Sequence, residues 1–535
     1  MLSTSITRSF NAVAAFLLMS SALPADEAKE FSLDVLRQMA RARAAAPYVE
    51  PPDALDSYWK NLTYDQHRDI RFQMEKGLWS GQDRGFSIDY FHPGWTAKRT
   101  VTVSEVIAGK ALPAAFDRSL FDYGKQQVPE SVPPPPGYAG WRARYPLNGP
   151  DYMDEFLVFL GASYFRTIPA KAPYGLSARG ISMNSGLPGV PEEFPDFQSF
   201  WVERPEKGAK SLKAWALLDG PSVAGAYQFT ITPGPETVMD IDVEITLRRP
   251  VQQLGLAPFS SMFWFGELTH PRPLDFRPEV HDSDCLLMEL STGGWHLRPF
   301  DTTAGQSRHC VFALENPRSW SVLQRDRSFS SYQDLEAHYH DRPSVRVEPM
   351  EGFEKGKLHL IELPSPDETN DNIVLVYEPD PKPEPGKAFH YRYRLRWMRD
   401  PQPHGLFAVK ATRWGTPVQK PDQLLFTVDF AKPLHPEKKT GEPKWDDLSL
   451  FKPVVTIGEK SAKLIHAGLT DISMANVDDL PLGMGRSPDV HMPQVLRAFF
   501  VIEPPPGMTS TELTCELQDA KAHAVSERWV YLWQK

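Results

Sequence analysis

A chain of 535 residues exceeds what one hydrophobic core supports, so at least two domains are expected. Apolar residues at 41% exclude global disorder, and 51 prolines favour short strands joined by turns over long helices. A formal charge of −10 without any basic block disfavours nucleic acid as a partner and suits a neutral ligand such as a sugar.

Residues 1–25 read as a cleavable export signal: Arg8, the apolar run AVAAFLLM, then the small-residue stretch SSALPA before Asp26. No later stretch is long and apolar enough to span a membrane. FSLDVLRQMARARAA is the clearest helix, with Ser32 as N-cap, Asp34 at the positive dipole end and Val35, Met39 and Ala42 on one face. VPESVPPPPG reads as an extended surface spacer.

From Trp141 the texture is that of strands. DEFLVFLGASYF is nearly all apolar, as in a strand buried on both faces. In TVMDIDVEITLRR, Met239, Ile241, Val243, Ile245 and Leu247 alternate with Asp240, Asp242, Glu244, Thr246 and Arg248. HYRYRLRW sets Arg392, Arg394 and Arg396 on one face, which reads as an ion-paired or solvated sheet surface. Prolines around 400–422 mark a boundary, giving domains 26–410 and 411–535. The second is of single-sandwich length, with strands LLFTVDF, AFFVIEP and RWVYLWQ. Three cysteines, Cys285, Cys310 and Cys515, cannot all pair, and buried free thiols are expected.

The chemistry-bearing candidates are two acidic loops far apart in sequence. FRPEVHDSDCLLM carries His281, Asp282 and Asp284; LPSPDETNDNIV carries Glu368 and Asp371. A glycosidase needs carboxyl groups on two sides of one bond, and two Asx-rich turns would look the same. On a regular strand Asp282 and Asp284 would share one face. Trp264, Trp295, Tyr164 and Tyr339 offer flat faces for sugar stacking, although most aromatics of a strand-rich protein are core. There is no G-x-S-x-G elbow and no Walker loop. His338 and His340 alternate beside Asp341, but no Cys/His spacing supplies a further ligand, so neither a metal nor a cofactor is expected.

The motifs LTYDQHRDIRF, GWRARYPLN, DEFLVFLGASYFR, YGLSARGISM, LLDGPSVAGAYQFTI, FRPEVHDSDCLL, LQRDRSFSSYQDLEAHYHDRPS and IELPSPDETNDNIV resemble the periplasmic glucan biosynthesis family OpgG/OpgD (MdoG/MdoD), glycoside hydrolase family 186. The resemblance runs from about Phe31 to Trp397 and continues more weakly to the C-terminus. It implies a mainly β protein: a galactose-mutarotase-like β super-sandwich followed by an immunoglobulin-like β-sandwich. It also implies a periplasmic location and endo-acting, anomer-inverting cleavage of β-1,2-linked glucan in osmoregulated periplasmic glucan biosynthesis. By the same resemblance Asp371 matches the general acid, acting through a substrate hydroxyl, and Asp282 the general base. Tyr339, Arg342 and Arg327 would contact substrate from a covering loop, with His281, Asp284, Glu368 and Trp295 completing the candidate site. A transglycosylase or a non-catalytic glucan-binding scaffold would share these features. A membrane-bound glucosyltransferase and a second copy of the chain are compatible partners. The chain departs from the family pattern at Cys285, where the pattern has glycine, and at Gly294, where it has glutamate. The second change removes a carboxylate near the base and bears on turnover more than on binding.

Overall fold

The computed structural model describes residues 28–302, 307–399, 404–433, 448–472 and 495–535; the expected export signal lies outside them. Among the described residues the protein is mainly β, built on a fifteen-stranded and a ten-stranded sheet with a four-stranded sheet near the C-terminus. No helix among them is long and apolar enough to cross a membrane.

The strand Thr237–Leu247 sits near the middle of the large sheet, between Val223–Thr232 and Ala388–Met398. Its odd positions from Met239 to Leu247 are buried, as the two-residue period predicts. The opposite face is ion-paired: Asp240 lies opposite Arg394 in register, and Arg394 Nε donates to its Oδ1 at 2.6 Å. Arg396 donates to Glu348 at 2.8 Å on the next strand. The helix Leu33–Ala45 packs on this same side, with Ser32 Oγ accepting from Val35 N as expected. Its buried face is Leu36 and Ala40, while Met39 is exposed; Arg37 and Arg41 then reach Asp242 and Glu244 at 2.8 and 2.7 Å. The helix is rotated from the expected face: Leu36 and Ala40 belong to an apolar cluster with Phe31, Trp201, Trp215 and Leu217, and the arginines then meet the sheet's acidic row.

The ten-stranded sheet supplies the other wall of the main core, where Phe159 meets Phe229 across the sandwich at 5.1 Å. The run DEFLVFL is not buried on both faces: Phe156, Leu157 and Phe159 are buried, but Leu160 is exposed before the turn into Tyr164–Thr167.

The four-stranded sheet begins with Ala408–Gly415 and continues through Leu424–Ala431, Val495–Glu503 and Lys463–Asp471. Phe426, Val428 and Phe430 face a second core against Trp529, Tyr531 and Trp533. The strand Arg528–Gln534 pairs in parallel with Trp295–Pro299, so the C-terminal unit is fused to the large sheet. Trp295 is buried in this second core, between the His404 ring at 4.7 Å and the Arg346 guanidinium at 5.6 Å. Its faces are taken by protein, which corrects the expectation of sugar stacking there. Cys285 and Cys515 are buried in the same core, and all three cysteines are free thiols.

A buried clasp ties the units. Glu527 accepts from Arg325 Nη1 at 2.7 Å, from Val409 N at 2.8 Å and pairs with His404 Nε2 at 2.7 Å. Burial alone would raise its carboxyl, but Arg325 and His404 outweigh it and lower the value from 4.5 to about 2. The clasp's stabilisation is therefore full above pH 4.5 and is lost as pH falls toward 2. Glu527→Gln leaves Arg325 buried without its counter-charge and should cost about 3 kcal/mol in denaturant unfolding at pH 7. The deficit should shrink as the titration is moved below pH 4.5.

Candidate functional site

The first acidic loop starts from a two-residue strand, Val280–His281, paired with Phe263–Phe265. The chain bends after His281, so Asp282 and Asp284 do not share a strand face, contrary to the regular-strand expectation. Asp282 N donates to Met262 O at 2.8 Å. Its buried carboxylate stands 3.2 Å from Arg342 Nη1, and among the described residues its Oδ1 accepts no hydrogen bond. Asp284 instead accepts from the backbone N–H groups of Arg325 and Asp326 at 2.6 and 3.0 Å, fixing the segment that carries the clasp. Between them Ser283 turns inward, 2.6 Å from Ser261 Oγ.

His281 is a buried strut rather than a surface ligand group. Gln324 Nε2 donates to the carbonyls of His281 and Tyr339, each at 2.9 Å, which aims its Oε1 at His281 Nδ1. That nitrogen must then carry a proton. Nε2 lies 3.0 Å from Glu279. Burial disfavours the imidazolium, yet Glu279 and Asp284 outweigh it and raise the ring's pKa.

The second acidic loop ends at Asn372, whose side chain locks it onto the same strand. Asn372 Oδ1 accepts from Phe263 N at 2.8 Å, and Nδ2 donates to the carbonyls of Phe263 and Leu363, both at 2.8 Å. Asp371, immediately before it, is exposed to solvent, and Arg166 and Arg342 act on its charge. Desolvation raises both carboxyls; Arg342 and Arg166 oppose this at each, and the charge of Asp371 raises Asp282 further. Arg342 thus acts on both aspartates, pairing directly with Asp282.

Arg342 is positioned from three sides. Nε donates to Ala337 O at 3.0 Å, and its guanidinium lies over the Tyr339 ring at 5.1 Å. Gly175 leaves room for its stem, since a Cβ there would sit 3.3 Å from Arg342 Cβ and 3.2 Å from Pro343 Cδ. Tyr339 OH donates to Glu368 Oε2 at 2.8 Å, which ties the segment carrying Arg342 to the loop carrying Asp371. Arg327 makes the reverse of a substrate contact: it donates to the backbone carbonyls of His340, Arg342 and Arg399 and so staples that segment down.

Three further residues shape the candidate site. Arg166, on Tyr164–Thr167, is held by Ser177 Oγ at 2.6 Å and acts on both aspartates. Arg277 bonds Glu368 at 2.7 Å, Asp334 at 2.9 Å and Asp275 at 2.9 Å, joining three loops. Asn372 is the third. Arg277 stands in the FRPEVHD motif and Asn372 beside Asp371, so proximity to the motifs was the available signal.

The profile of the family described as "Periplasmic glucan biosynthesis protein, MdoG" matches residues 31–533. The chain belongs to this family. It is 42% identical over 419 residues to glucans biosynthesis protein G of Ralstonia nicotianae, covering 76% of this chain and 82% of that one. Glucans biosynthesis protein G of Rhodopseudomonas palustris is 42% identical over 427 residues, covering 78% and 84%. Glucans biosynthesis protein D 1 of Ralstonia nicotianae is 36% identical over 535 residues, covering 96% and 94%.

Asn372→Ala should cost about 2–4 kcal/mol in denaturant unfolding, because two buried backbone groups of Phe263 and the part-buried Leu363 carbonyl lose their partner. Hydrogen exchange should rise selectively at Phe263 N–H, whose acceptor is removed.

Proposed function

We propose that this periplasmic glucan biosynthesis family member cleaves β-1,2-linked glucan by endo-acting, inverting hydrolysis, with Asp371 as general acid and Asp282 as general base. The observation that carries the reading is a buried carboxylate, Asp282, whose Oδ1 is ion-paired with Arg342 Nη1 at 3.2 Å but accepts no hydrogen bond among the described residues, together with a second carboxyl on an independent loop whose charge acts on it. In this scheme water attacks the anomeric carbon as Asp282 takes its proton. The glycosidic C–O bond breaks as Asp371 delivers a proton to the leaving oxygen through a substrate hydroxyl. One water is consumed, and solvent returns the proton from Asp282 to Asp371.

The productive state has the proton on Asp371 and the charge on Asp282. Arg342, 3.2 Å from Asp282, stabilises the charge on Asp282, and it lowers Asp371 as well. Repulsion between the two carboxylates, when both are charged, favours a pair that keeps one proton, which is why the charge of Asp371 raises Asp282. Location in the periplasm, delivered by the signal expected in residues 1–25, fits the family.

Purified protein incubated with linear β-1,2-glucan should shorten it and release new reducing ends, and Asp371→Asn should lower the rate at least about a hundredfold. Unchanged glucan, rearranged products without new reducing ends, or full activity in Asp371→Asn would contradict the proposal.

The pH profile follows from the direction of both shifts. Activity falls in acid as Asp282 is protonated and in base as Asp371 loses its proton. Both groups are raised above 3.8, so the bell sits on the neutral side of two ordinary aspartates. Arg342→Ala removes a cation that lowers both, so both limbs of kcat/KM against pH should move to higher pH. Limbs that stay in place would show that Arg342 acts only in binding.

A further inference from the structure

The segment that carries Tyr339 and Arg342 also brings together side chains that the proposed reaction does not use. Tyr339–Asp341 forms a single 3₁₀ turn, and at three residues per turn His338 and Asp341 stand on one side of it. His338 Nδ1 lies 3.8 Å from Asp341 Oδ2, and His340 Nε2 lies 3.3 Å from the same oxygen. Three ligand-type atoms, one from each residue, all lie within 4.8 Å of one another. The sequence reading lacked a third ligand at defined geometry; the turn supplies it in Asp341.

We propose that His338, His340 and Asp341 form a binding site for one zinc-class divalent cation on the segment that presents Arg342. Tetrahedral ligation at ordinary Zn–N and Zn–O lengths sets neighbouring donor atoms about 3.3–3.5 Å apart. The His340–Asp341 pair already has that spacing, and the remaining closure falls on His338, whose ring is 46% exposed. The other two donors are held: Arg327 fastens the His340 carbonyl, and Arg399 pairs with Asp341 Oδ1 while Oδ2 faces the imidazoles. Two imidazoles and one carboxylate select zinc, cobalt, nickel or copper over magnesium or calcium, and exposed His338 leaves a coordination position to solvent. Among the described residues His340 Nδ1 is buried without a hydrogen-bond partner, so a ring metallated at Nε2 would keep an unsatisfied N–H there. The expected affinity is accordingly micromolar rather than that of a closed structural site. Bound metal would bracket Tyr339 on both sides and stiffen the segment up to Arg342.

The test is calorimetric titration of the metal-stripped full chain with zinc chloride, with cobalt absorption as a second readout. One saturable micromolar site is expected, together with a visible cobalt d–d band. His338→Ala should weaken binding at least about tenfold and abolish the band. The chain holds 15 histidines, and His309 lies 2.9 Å from His359 elsewhere, so His309→Ala serves as the control and should leave binding unchanged. No saturable site, or binding that survives His338→Ala, would overturn the proposal. The outcome does not depend on whether the protein cleaves glucan.

Discussion

Both carboxylate loops are referenced to the backbone of two consecutive residues. Met262 O takes the N–H of Asp282, and the Asn372 side chain satisfies both backbone groups of Phe263. The two aspartates come from loops about 90 residues apart, yet Asp282 and Asn372, the neighbour of Asp371, bond to adjacent residues, Met262 and Phe263. Loops held only by their own turns would wander by more than proton transfer tolerates. Asn372 is 3% exposed, so this lock cannot exchange its partners for water without unfolding the end of the loop.

A second layer closes around that lock. Arg277 holds Asp334, which caps the backbone N–H groups of Glu336 and Ala337, and Ala337 O in turn orients Arg342. The same guanidinium holds Glu368, which receives Tyr339 OH. One buried arginine thus links the segment presenting Arg342 to the loop presenting Asp371. The cation that tunes the pair and the pair itself are set by shared bonds. The clasp at Glu527 reaches the site too, because Arg325 and Asp326 present their backbone N–H groups to Asp284, two residues beyond Asp282.

Sheet-level features were legible in the sequence because they are periodic. The alternation from Met239 to Leu247, the arginine row of Ala388–Met398 and the apolar faces at Phe426 and Trp529 all follow a two-residue repeat, and all hold. The acidic loops were legible as residue types, and the family resemblance chose among them. What failed was direction. A bend after His281 separates Asp282 from Asp284, and no local pattern announces a bend of that kind. Trp295 looked like a stacking platform because its burial depends on strands more than 100 residues downstream. Arg327 looked like a ligand contact because backbone carbonyls, which sequence does not display, are its partners. Asn372 was hidden for the same reason, one position from the residue that drew attention.

In the proposed mechanism Asp282 directs water to the face of the sugar opposite the departing oxygen. Proton NMR of the first reducing ends released from linear β-1,2-glucan measures this most directly. Hydrolysis by the Asp282–Asp371 pair predicts that the α anomer appears first and equilibrates afterwards. First appearance of the β anomer would contradict it.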